Sequence, residues 1–152
     1  MRINQVVDRQ RMFEGFKSVP YLDTLQNFSV GYGNRVYHGH PVTSQYPSVI
    51  TKAEAVVMLK SSVLDSIEIC HNIYHKWYDL TCINREVLTH MAYQLGYKLR
   101  QFKKMNQCIS DGDTEGTAYQ MGDSLWARQT PRPASACIDA IVNGEWQGRW
   151  AR

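Results

Sequence analysis

The chain has no apolar run approaching the roughly 18 residues that a membrane-spanning helix requires. Its first residues, MRINQVVDRQR, lack the apolar core of a secretion signal. The expectation is a soluble protein held in the cytoplasm where it is made. No repeat with a period of roughly 20–50 residues is present, which excludes a solenoid or a propeller. Cysteine is sparse and scattered: Cys70, Cys82, Cys108 and Cys137 form no C-x-x-C pair. That argues against a zinc knuckle or a redox dithiol and for buried free thiols. A dominant charge is also missing. The net charge of +3 is too small to point to nucleic acid, although it suits an anionic polymer.

What is present is an ordinary globular composition, 43% hydrophobic and 20% charged, in 152 residues. Such a chain can bury one core, or two small lobes sharing a helix, but not two independent domains. Residues 3 to 14 read as a helix with Val6, Val7, Met12 and Phe13 on one side and Gly15 as its stop. From Val19 to about Tyr37 the texture turns to strands and tight turns, with Pro20, the polar Asp23–Asn27 stretch, alternation through Phe28, Val30 and Tyr32, and Gly31 and Gly33. A small antiparallel sheet follows, with Gly31 and Gly33 leaving an open floor above them. Residues 38–49, HGHPVTSQYPSV, read as loop.

Thr51-Lys52-Ala53-Glu54 has the capping-box pattern that opens a helix. That helix runs to about Tyr74, with Val56, Leu59, Val63, Ile67, Cys70 and Tyr74 on one face. It is long enough, about 30 Å, to join a sheet lobe to a helical one. The remainder reads as helices over Asn84–Leu95, Lys98–Ile109, Thr114–Trp126 and Pro131–Asn143.

The chemistry concentrates between Glu14 and Gly33. Glu14 falls at a helix end, Asp23 in a turn, and the Ser29 hydroxyl on the returning strand. Two carboxylates can divide the cleavage of a glycosidic bond: one protonates the leaving oxygen, the other activates water or stabilises the positive ring. The helix-end carbonyls disfavour an ionised Glu14, which suits an acid. Spacing alone does not establish this, because 14 acidic residues offer many pairs.

The runs Glu14-Gly15, Tyr21-Leu22-Asp23-Thr24 and Ser29-Val30-Gly31-Tyr32-Gly33 resemble the signature of phage-type lysozymes. The resemblance continues in Met91-Ala92-Tyr93-Gln94-Leu95-Gly96 and in Trp126-x-x-Gln129-Thr130-Pro131. It implies an α+β, two-lobed fold: a sheet lobe over about 15–50, a connecting helix over about 52–75, and a helical lobe over about 76–152 that includes the N-terminal helix. A cleft lies between the lobes.

The activity implied is hydrolysis of the β-1,4 bond between N-acetylmuramic acid and N-acetylglucosamine in bacterial peptidoglycan, without a cofactor. By resemblance Glu14 is the proton donor and Asp23 the second carboxylate. Ser29 stands where threonine is usual. Asn34, Tyr93 and Gln94 would meet the glycan, and core packing is the competing account of Tyr93. Family analogy adds a monomeric endolysin waiting in the host cytoplasm until a holin opens the membrane.

This chain departs from the family pattern at several places. Ser29 lacks the stiffening methyl, the 34–50 stretch is short, and Asn34 stands where histidine is frequent. Arg132-Pro133-Ala134 replaces Asn-Arg-Ala, so that an arginine expected near Glu14 is shifted by one position. Arg132 then becomes a candidate to support Glu14 from behind. A lytic transglycosylase and a non-catalytic glycan binder with the same fold are the rivals. A zinc amidase would need three ligands from His71, His75, His38 and His40. The residue after His71 is Asn72, not the glutamate such a site uses as its base. Lys98, Arg100, Lys103 and Lys104 read as a solvated helix face, and the four tryptophans mostly as core.

Overall fold

The computed structural model describes residues 1–22, 28–35 and 50–151. It is mostly helical, with one small antiparallel sheet. Helix α1 spans Ile3–Glu14 and ends at Gly15, whose φ of 67° lets its N–H reach the Arg11 carbonyl at 3.0 Å. The chain then enters β1 (Lys17–Leu22), β2 (Phe28–Gly31) and β3 (Asn34–Arg35), which lie side by side in that order.

The β1–β2 register pairs Tyr21 with Ser29 and Leu22 with Phe28, then slips between Tyr21 and Lys17. Pro20, which has no N–H to give the ladder, lies inside the slip. The Ile50 N–H donates to the Ser18 carbonyl of β1 at 2.9 Å, so the chain returns to the sheet before α2 begins.

Helix α2 runs over Lys52–Ile73, about 33 Å at 1.5 Å per residue. Thr51 caps it by accepting from the Glu54 N–H at 3.1 Å, while the Thr51 hydroxyl donates to the Glu54 carboxylate. Its buried seam is Ala55, Leu59, Val63, Ser66 and Cys70, with the expected Val56 and Ile67 only half-buried. The helix is rotated so that small residues face inward, which brings it close to the sheet. A Cβ built on Gly31 would lie 3.2 Å from Ala55 Cβ and 3.0 Å from Ile50 Cδ1. The open floor expected at Gly31 is therefore filled by Ile50 and α2.

The rest is α3 (Cys82–Leu95), α4 (Lys103–Asp111), α5 (Thr114–Gly122), α6 (Leu125–Gln129) and α7 (Pro131–Asn143), with 3-10 turns at Trp77–Asp79, Gly96–Gln101 and Gly148–Ala151. Two helices expected to be continuous are broken. Residues 98–101 are 3-10 because Asn106 ties the segment down: it donates to the Leu99 carbonyl at 3.1 Å and accepts from Tyr74 Oη at 2.6 Å. The 114–126 run stops at Gly122, and Ser124 starts a new helix by capping the Ala127 N–H.

The core forms two clusters. One gathers Val6, Val7, Val30, Tyr32, Ile50, Ala55, Leu59 and Val63 around the sheet. The other gathers Phe13, Cys70, Tyr74, Trp77, Leu88, Met91, Trp126 and Trp146, among others, in the helical part. Helix α2 serves the first with its N-terminal half and the second with Cys70 at its far end. Helix α1 is divided in the same way, with Val6 and Val7 on one side and Phe13 on the other. Of the cysteines, Cys70 and Cys137 are buried free thiols, whereas Cys82 is exposed and Cys108 half-exposed.

Candidate functional site

The end of α1 delivers Glu14 to the place where the two clusters meet. Four residues earlier on the same helix face, Gln10 Nε2 donates to Glu14 Oε1 at 2.8 Å. From the last turn of α3, Gln94 Nε2 approaches the same oxygen at 3.4 Å, and Gln94 Oε1 in turn accepts from Trp126 Nε1 at 2.5 Å. Gln10 Oε1 faces His90 Nδ1 at 2.6 Å. The other Glu14 oxygen lies above the β2–β3 turn, where a Cβ on Gly33 would come within 2.6 Å of Oε2. Gly33 has φ 77°, a backbone shape that L side chains rarely adopt, and the absence of a side chain is what lets the carboxylate sit there.

Sequence-predicted residues do converge in part. Tyr93, half-buried on α3, donates its hydroxyl to the Tyr32 carbonyl at 2.6 Å and so ties the helical part to the sheet turn. Burial, then the neighbouring Glu14 and Tyr21, push its phenol well above the usual range. Its structural tie and a place beside Glu14 are thus compatible. Ser29 is fully buried in the middle of the sheet, opposite Tyr21 and Arg35. Asn34 opens β3 and its backbone pairs with Val30; its side chain lies outside the described part. Asp23, which follows Leu22 at the end of β1, lies outside the described residues, as do His38 and His40.

Arg132 reaches the end of α1, where its hydrogen bond goes to a carbonyl. Its Nη2 donates to Met12 O at 3.3 Å, and its guanidinium lies 5.3 Å from the Trp150 ring centroid. Ion pairs among the described residues are Arg9–Glu86 and Arg11–Asp8, not Arg132–Glu14.

Behind the site, Arg9 and Glu86 form a buried pair at 3.0 Å, to which Trp146 Nε1 donates at 2.7 Å. A buried pair of this kind is costly to break by removing one partner. His71 and His75 are exposed, and among the described residues no three His, Cys, Asp or Glu side chains gather as a metal site. Lys98, Arg100, Lys103 and Lys104 are all exposed, and Trp77, Trp126 and Trp146 are core.

Sequence reading missed Gln10 and His90. The i, i+4 spacing of Gln10 and Glu14 was a usable signal, because such a pair shares a helix face. His90 has no local signal, being 80 residues from its partner.

Comparison with known proteins bears on this arrangement. The chain is 23% identical over 163 aligned residues to a protein named probable T4-type lysozyme 2 from Dictyostelium discoideum, covering 93% of this chain and 96% of that protein. The phage lysozyme family profile matches residues 11–137, a span that contains Glu14, Gln94 and Trp126. With the match extending over most of its length, the chain belongs to the phage lysozyme family.

Proposed function

We propose that this protein hydrolyses the β-1,4 bond between N-acetylmuramic acid and N-acetylglucosamine in peptidoglycan, as an endolysin acting in host-cell lysis. The observation that carries it is Glu14: a carboxylate at a helix end, fixed by two amide donors on one oxygen and facing a glycine turn with the other. Such a group can present one oriented proton to a leaving oxygen. The substrate cleft is the junction between the sheet-side and helix-side clusters, closed at the back by the Tyr93–Tyr32 tie.

Asp23 and Ser29 are the groups proposed to direct water at the opposite face of the sugar, which makes the reaction inverting. Ser29 is buried in the sheet, so the water it would direct is one held within the protein rather than in bulk solvent. The reaction draws on acid, base and water alone. Release to the wall through a holin-opened membrane is the setting proposed for it.

Turbidity loss of purified walls tests the activity. The parent protein clears the suspension, and folded Glu14→Gln, nearly isosteric but without an acidic proton, does not. Lysis by folded Glu14→Gln would reject the assignment. Mass spectrometry of the fragments separates hydrolysis from a transglycosylase: a reducing end supports water as the acceptor, and a 1,6-anhydro end overturns it. Wall binding without clearing by the parent protein would identify a glycan binder.

A further inference from the structure

Glu14 is held by side chains to which the reaction proposed above gives no task. Gln10 is 1% exposed and His90 3% exposed, two polar groups deep in the junction between α1 and α3. We infer that Gln10 and His90 are positioning residues, which hold Glu14 in one orientation by fixing an N–H donor on its Oε1. The inference rests on Glu14 being the proton donor.

The direction of each bond follows from what each group can do. An amide oxygen only accepts and an amide nitrogen only donates. Gln10 turns its nitrogen to Glu14 Oε1 at 2.8 Å, so its oxygen faces His90 Nδ1 at 2.6 Å, and that nitrogen must carry the hydrogen. His90 Nε2 is then a bare acceptor without a hydrogen-bond partner, facing a pocket of rings. Phe13 lies 5.1 Å and Trp146 5.4 Å away by ring centroids, both edge-to-face with the imidazole.

The opposite polarity would leave a buried His90 Nε2–H without an acceptor and would set Gln10 Oε1 against the Glu14 carboxylate. Both are unfavourable. Burial, then the nearby Arg9, keep the imidazole neutral and its single hydrogen in place. The relay therefore has one stable polarity.

That polarity determines what Glu14 can do. Gln10 and Gln94 both donate to Oε1, so Oε1 accepts whether the carboxyl is charged or not, and a proton on it would meet two N–H groups. Because both amide nitrogens only donate, this hold on Oε1 is the same before and after proton transfer.

The test compares parent, Gln10→Met, Gln10→Glu, His90→Phe and His90→Asn, using initial clearing rates across a range of purified-wall concentrations and pH values. Gln10→Met keeps the shape but loses the donor; its maximal rate is expected to fall at least tenfold, with half-saturation changed less than twofold. His90→Phe should fall less, because Gln10 remains but can rotate. His90→Asn, whose side-chain amide can place a donor where Nδ1 stands, should recover most of that loss.

Gln10→Glu puts a second carboxylate beside Glu14 and should move the alkaline limb of the pH profile upward, which a purely structural role would not do. Folded Gln10→Met with a maximal rate within twofold of the parent, or Gln10→Glu with unmoved limbs, overturns the inference while Glu14 stands. Activity retained in Glu14→Gln overturns both.

Discussion

Gly33→Ala separates the fold from the site. The backbone at Gly33 has φ 77°, and placing an L residue in left-handed backbone costs about 1–2 kcal/mol. The new Cβ would also lie 2.6 Å from Glu14 Oε2 and 3.0 Å from its Cδ. The obstructed atoms belong to the free end of a side chain, so the clash relaxes cheaply by swinging the carboxylate away. A normal contact needs roughly another half to one ångström. Displacement on that scale at a reacting group costs about 10²-fold in rate.

The matched control is Gly144→Ala. Its φ is 73° and a Cβ there meets nothing within 4 Å, so it carries similar backbone strain without touching the site. Urea unfolding should show both variants destabilised by about 1–2 kcal/mol. Wall clearing per folded molecule should stay near the parent value in Gly144→Ala and fall about a hundredfold in Gly33→Ala. Equal clearing by the two variants would refute the placement of Glu14 over Gly33.

Three further outcomes are expected. His90 is pushed down from 6.5 to about 3 by burial, then by Arg9. Below pH 6.5 the unfolded chain takes a proton that the fold refuses, so this contribution is complete above pH 6.5 and is lost as pH falls toward 3, by up to about 1.4 kcal/mol per unit. Unfolding free energies of parent and His90→Asn should therefore converge by about 2 kcal/mol between pH 6.5 and 4.5, and parallel curves would contradict the buried neutral imidazole. Ser29→Ala should lower turnover tenfold or more at equal folded fraction. Ser29→Thr should keep turnover but lose about 1–3 kcal/mol, because its methyl enters a filled site; equal turnover in Ser29→Ala and parent would remove the hydroxyl from the reaction. Rapid NMR of the first product should show an α-configured reducing end, and a β-configured one would contradict inversion.

Local chemistry made much of this chain legible. The end of α1, the start of α2 and both ends of α7 follow from Gly15, from the Thr51 cap and from Pro131 with Gly144, because each signal acts within a turn of the backbone it ends or begins; the Thr130 hydroxyl expected to cap α7 donates back to the Trp126 carbonyl instead. Glu14 stood out as a candidate from its motif, and its place at a helix end from the glycine that follows.

The break at Ser124 also has a local cause, a capping hydroxyl, but apolar periodicity masks it by running across the gap. The 3-10 stretch before α4 is different. It depends on Tyr74 and Asn106, 32 residues apart, and no window along the chain contains both.

The same distinction separates Glu14 from its support. One stretch of sequence carries Glu14 and Gly33, but the grip on Oε1 joins α1 to α3 across 80 residues through Gln94, and His90 reaches Gln10 over the same span. Gly31 shows the limit from the other side: as a strand glycine it suggested open space, and packing filled that space with Ile50 and Ala55. Sequence determined which groups could react and where the chain could turn, since those depend on residue type and near neighbours. Tertiary packing alone decided that Gln10 and Gln94 meet on one oxygen of Glu14, because that depends on side chains meeting from helices that the chain order keeps apart.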